Sequence, residues 1–138
     1  TTIAEIEQVL VEAGAGNVNK VITSGRIVAM MFTIDIEKRR IPFRLPINID
    51  AVEKSLRRDS KRIKPRSEEE RKLADKAEIV AWKAMLNWLD AQMIMIKIEQ
   101  VKFMEVFLPY VYNEANGQTY YTSLEISKFQ ALPQSTKK

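Results

Sequence analysis

Residues 67–100, SEEERKLADKAEIVAWKAMLNWLDAQMIMIKIEQ, contain neither proline nor glycine and read as one long helix around which the chain is arranged. Ser67 followed by Glu70 forms a capping box, in which the hydroxyl satisfies a free backbone amide and the carboxylate returns to the cap residue's own amide. Glu68, Glu69 and Glu70 lie in the first turn, where the positive end of the helix dipole favours acidic side chains. They read as helix-start charges rather than as a metal cluster. Leu73, Ala77, Val80, Ala84, Trp88, Ala91, Met95 and Ile98 then recur three and four apart, the spacing of a buried helical stripe. A second series, Trp82, Met85, Leu86, Leu89, Met93 and Ile96, widens it. Only Lys83, Asn87, Asp90 and Lys97 form a polar strip, so most of the circumference is expected to be covered. The helix is then either the centre of one core or a seam shared with a second subunit, and the homodimer fails if both apolar faces are covered within one chain.

At 138 residues the chain is long enough for one core and too short for two. A single α+β domain over 1–133 is expected, with residues 134–138 a disordered tail. There is no cysteine and no histidine, which removes disulfides, zinc sites of the usual kind, and triads or acid–base chemistry that need those side chains. The apolar run Ile94 to Ile98 is broken by Lys97 and is far shorter than a membrane span. The N-terminus has no signal-peptide pattern, so a cytoplasmic protein with no membrane partner is expected. Net charge is +4, but between Glu37 and Arg66 eleven Lys and Arg face four acids. The positive charge is local.

Towards the N-terminus, Thr2 with Glu5 forms a second capping box, and Ile3, Ile6, Leu10 and Ala13 make one apolar face of a helix over 3–13, ended by Gly14 and Gly16. Val18–Thr23 and Arg26–Asp35 are strand-like, with Ser24-Gly25 a two-residue hairpin turn between them. Glu37-Lys38-Arg39 turns the chain into a third strand, Arg40–Ile47. Its Ile41, Phe43, Leu45 and Ile47 point one way, and Arg40, Pro42, Arg44 and Pro46 the other. Two prolines cannot donate to a ladder, so this is an edge strand, or one that leaves the sheet early. Asp50 with Glu53 caps a helix through Ala51 and Leu56 that leads into a basic segment, 57–66, expected to be mobile.

Towards the C-terminus, Phe103 to Leu108 form a helical turn or two, stopped by Pro109. Tyr110–Tyr112 and Gln118–Tyr121 flank an Asn116-Gly117 hairpin signal, and Thr122 with Glu125 caps a short last helix through Leu124 and Phe129. The expected architecture is therefore an N-terminal helix, a three-stranded antiparallel meander, a long central helix, a C-terminal β-hairpin and a short helix, with the helices on one face of the sheet. The order helix, three strands, helix resembles that of the double-stranded RNA-binding domain, a likeness of topology alone.

The basic segment is the feature with functional content. Closely spaced Lys and Arg neutralise phosphates and release condensed counterions, giving affinity without sequence readout. Arg40, Arg44, Arg57, Arg58, Lys61, Arg62, Lys64 and Arg66 are the candidate phosphate contacts, and Tyr110, Tyr112, Tyr120 and Tyr121 are candidate stacking platforms for unpaired bases. The carboxylates Asp35, Asp90, Glu99 and Glu105 make no catalytic pair: Asp90 and Glu99 lie about 13 Å apart along a straight helix. No cofactor, metal or enzymatic role is expected.

Four stretches, Arg40-Ile41-Pro42-Phe43-Arg44-Leu45-Pro46, Ala81-Trp82-Lys83-Ala84-Met85-Leu86, Glu105-Val106-Phe107-Leu108-Pro109-Tyr110 and Asn116-Gly117-Gln118-Thr119, resemble in this order a group of small uncharacterised phage- and prophage-encoded proteins. The resemblance runs over most of residues 26–125 and carries no catalytic residue. It implies a mobile-element context, in which such small proteins bind nucleic acid or a host protein. Two readings follow. One is an accessory protein that binds DNA or RNA, with a single strand the expected form, in replication or recombination. The other is a protein-binding inhibitor of host machinery, of anti-defence or anti-CRISPR type.

Overall fold

A computed structural model of the protein describes residues 1–59 and 67–137. In chain order the elements are helix α1 (Thr2–Glu12), strands β1 (Gly16–Thr23), β2 (Arg26–Ile36) and β3 (Arg39–Pro46), and helices α2 (Ile49–Asp59), α3 (Ser67–Lys97) and α4 (Phe103–Phe107). A 3₁₀ turn (Leu108–Tyr110), a hairpin of β4 (Tyr112–Asn113) and β5 (Gln118–Thr119), and helix α5 (Tyr120–Ile126) complete the α+β fold. The three long strands form an antiparallel sheet in the order β1-β2-β3.

Both meander turns take two residues of positive φ, the hand that matches strand twist. Ser24 (φ 52) and Gly25 (φ 78) make the first, and Glu37 (φ 50) and Lys38 (φ 64) make the second without a glycine. β3 is an edge strand, as its prolines require. Among the described residues, its outer edge pairs with no further strand beyond an isolated bridge from Val111 to Phe43.

Strand alternation sends Met30, Phe32, Phe43 and Leu45 into one core with Ile6 and Leu10 of α1, Trp82 and Leu89 of α3, and Phe107 of α4. An aromatic chain ties the layers together: Phe32 stacks on Phe43 at 5.2 Å, Phe43 meets Phe103 edge-on at 5.6 Å, and Phe103 stacks on Phe107 at 4.3 Å. Trp88 closes on Phe107 at 5.6 Å and on Tyr110 at 5.8 Å.

α3 runs along β2. Near its start, Asp75 and Glu78 bind Arg26 at 2.9 and 3.3 Å, and near its end Met93 and Lys97 share a cleft with Ile34 and Ile36. Its two apolar series are covered unequally: in the first, Leu73 and Ala77 are buried and Trp88 is half-buried, but its other members are not. In the second, Trp82 and Leu89 are buried and Met85, Leu86, Met93 and Ile96 are half-buried, whereas Val80, Ala84, Ala91, Met95 and Ile98 of the first are exposed. The expectation that most of the circumference is covered is corrected: the sheet and α1 reach one side only.

Three helix caps also sit elsewhere than the sequence suggests. Thr1, not Thr2, accepts the Ala4 N–H at 3.3 Å. Asn48, not Asp50, accepts the Ala51 N–H at 2.9 Å. Thr119, not Thr122, caps α5, which ends at Ile126 before a turn in which Lys128 and Phe129 both have positive φ. Tyr120 and Tyr121 therefore belong to a helix, not to the hairpin. The hairpin loop spans the four residues from Glu114 to Gly117 and is held by Asn113 and Asn116, whose side chains accept the Ala115 and Gln118 N–H groups at 2.9 Å each. Among the described residues, no helix is long and apolar enough to cross a membrane.

Candidate nucleic-acid interface

The predicted phosphate contacts fall into two places. Arg40 and Arg44 lie on the sheet face opposite the core, in register with Asp35 and Met31 of β2. Arg40 is exposed and pairs with Asp35 at 3.5 Å, and Arg44 has no ion pair among the described residues. Arg57 and Arg58 lie in the last turn of α2. Lys61, Arg62, Lys64 and Arg66 lie outside the described residues.

α2 starts just beyond the Pro46 end of β3, whereas Arg40 is at the other end of that strand, about 20 Å away at the rise of an extended chain. The structure thus does not join Arg40 to the α2 arginines in one continuous strand-and-loop surface. What it builds is an arm. α2 pairs with the N-terminal turns of α3, and the first residues of α3 precede its contact with Arg26 by about 12 Å of helix. No residue of α2 whose side chain is described is fully buried.

Arg57 is engaged within this arm. Its guanidinium bonds Glu53 one turn back at 3.0 Å and reaches Glu70 of α3 at 3.9 Å. Of the two described arginines, Arg58 is thus the one left for a ligand; it is exposed and has no ion pair among the described residues. The chain's densest run of positive charge, 57–66, begins in the last turn of α2 and continues in sequence up to the start of α3.

The tyrosines separate by exposure. Tyr110 packs against Trp88 and Phe107, and Tyr112 is half-buried in the hairpin, so neither offers a free ring face like an open platform. Tyr120 and Tyr121 are exposed, with Tyr121 tilted 6.0 Å from Phe129.

Glu105, the carboxylate inside an apolar run, accepts the Lys102 backbone N–H at 3.0 Å and so fastens the start of α4. Asp35 and Asp90 reach one cleft of about 1040 Å³, whose walls include Val9, Ile34, Ile36, Met93, Phe103 and Met104 and whose rim carries Lys97 and Lys102. This cleft is not legible from spacing, because it joins the ends of α1, β2 and α3 to the start of α4. Among the described residues, no three His, Cys, Asp or Glu side chains gather to hold a metal ion. Comparison of the chain with protein-family models, curated proteins and solved structures finds no match.

Proposed function

We propose that the protein is a non-enzymatic accessory protein of phage type that binds the phosphate backbone of nucleic acid, single strands foremost, through the α2–α3 arm. One observation carries this reading: the most basic stretch of the sequence begins in the last turn of α2 and continues in sequence up to the start of α3, and these two paired helices extend past the sheet domain. Closely spaced cations neutralise successive phosphates and release their condensed counterions, which gives affinity without base readout. Arg58, Lys61, Arg62, Lys64 and Arg66 make the phosphate contacts, while Arg57 is engaged within the arm. Arg40 and Arg44 form a separate patch that adds to long-range attraction.

Fluorescence anisotropy with labelled single-stranded DNA, double-stranded DNA and RNA tests this, using wild type and two variants. The Arg58/Lys61/Arg62/Lys64→Ala variant is expected to lose most affinity, and its dependence of log K on log salt falls by about 0.7 per phosphate contact removed on a single strand. The Arg40/Arg44→Ala variant is expected to lose far less. No binding to any of the three ligands near physiological salt would sink the proposal and turn attention to a host protein with an acidic surface.

A further inference from the structure

Four elements far apart in sequence leave apolar side chains half-buried at one place. Val9 of α1, Ile34 and Ile36 of β2, Met93 of α3, and Phe103 and Met104 of α4 line the cleft of about 1040 Å³. A concave, mainly apolar surface of this size suits one small molecule, most of whose surface it can enclose. Its wall is adaptable as well as apolar, because the thioether side chains of Met93 and Met104 fit themselves to irregular shapes. None of the residues assigned to phosphate lines this cleft.

The polar side chains that line it are all charged: Glu12, Asp35, Asp90, Lys97 and Lys102. They are not equivalent. Asp35 pairs with Arg40 at 3.5 Å, and the Glu12 carboxylate accepts a hydrogen bond from the Gln8 amide at 3.0 Å. Lys97, the last residue of α3, and Lys102, immediately before α4, are exposed and have no ion pair among the described residues. They flank the turn that leads from one helix to the next. Asp90 is also without an ion pair among the described residues, but it lies seven residues before Lys97, about 10 Å back along the helix. The end of the rim that carries the two lysines is therefore positive.

We propose that this cleft binds an aliphatic monocarboxylate of fatty-acid type, its chain against the methionine and isoleucine wall and its carboxylate between Lys97 and Lys102. The lining selects this class in two steps. A sugar or a nucleobase would find no neutral hydrogen-bonding side chain there, whereas an alkyl chain needs none. An amphiphile with a cationic head would have one unpaired carboxylate to use and two unpaired lysines to avoid, so an anionic head is the better match. Burial of the chain supplies most of the affinity. The exposed lysines supply orientation and a smaller share.

Isothermal titration calorimetry of the full chain with dodecanoate and with dodecylammonium, both below their micelle concentrations, tests this. Dodecanoate is expected to bind saturably, one per chain, and more tightly than dodecylammonium. In Lys97→Met/Lys102→Met both changes fall on exposed side chains, so this variant is expected to melt as wild type does. It is expected to bind dodecanoate about tenfold more weakly and to lose the preference for the anionic head. Methionine-methyl NMR spectra locate the site: dodecanoate is expected to shift Met93 and Met104 and to leave Met31, on the opposite face of the sheet, in place. Absence of saturable binding, equal affinity of wild type and variant for dodecanoate, tighter binding of dodecylammonium, or shifts confined to other methionines would each overturn the proposal.

Discussion

Trp82 and Glu78, one helical turn apart on α3, grip the same residue of β2. The indole Nε1–H donates to the Ile27 carbonyl at 3.0 Å, and the Glu78 carboxylate accepts the Ile27 N–H at 2.8 Å while also binding Arg26. Side chains thereby complete a backbone that has passed the end of the β3 ladder, where Ala29 pairs with Pro46. Trp82→Phe keeps the apolar bulk but leaves the carbonyl without its donor, and should cost about 1–3 kcal/mol. Urea unfolding reads this as a lower midpoint at unchanged slope. The hydrogen bond from Arg26 to Asp75, with the charges of Asp75 and Glu78, holds the guanidinium pKa above its ordinary value. A raised folded-state pKa means that this contribution is fully present below the unfolded value and is lost only at still higher pH. The stability difference between wild type and Arg26→Met is therefore expected to be the same at about pH 7 and about pH 10.

At the scale of elements, the β2–β3 turn is tight at the cost of two non-glycine residues in the left-handed region, Glu37 and Lys38. Replacing them with Asn-Gly should stabilise the protein by about 1 kcal/mol, because that pair populates the required turn readily. α2 has a different weakness: it lies on the molecule's edge and depends on its cap. Asn48→Ala should cost about 1 kcal/mol, while Asp50→Ala stays within about 0.5 kcal/mol. Equal effects of the two substitutions in thermal melts would show that Asn48 is not the cap. The strong start signals in the sequence were right about the helices and wrong about the capping residue by one to three positions. Thr, Asn and Asp are clustered at these boundaries, and only the direction in which the chain enters the helix selects among them.

For the whole molecule, Phe107 is the keystone, fully buried where Phe32, Phe103, Trp88 and Tyr110 meet. Phe107→Ala should cost about 3–5 kcal/mol and detach α4 and the hairpin together, seen as loss of near-ultraviolet dichroism from Trp88 before the far-ultraviolet signal of α3 fails.

Strand alternation, turn residues and an unbroken helical run sufficed to determine from sequence alone the order of the elements, the antiparallel meander, the edge position of β3 and its inward Phe43 and Leu45. Each of these is a local pattern, legible without knowing what packs on what. The tertiary structure alone decided which apolar residues of α3 are core and which are bare, because periodicity records that a stripe is apolar and not whether the chain returns to cover it. It decided likewise that Arg57 is engaged within the arm while Arg58 is left exposed, and that Arg40 and α2 stand at opposite ends of a strand. Neighbouring arginines are alike in sequence; the carboxylates that long-range folding sets beside them divide their roles.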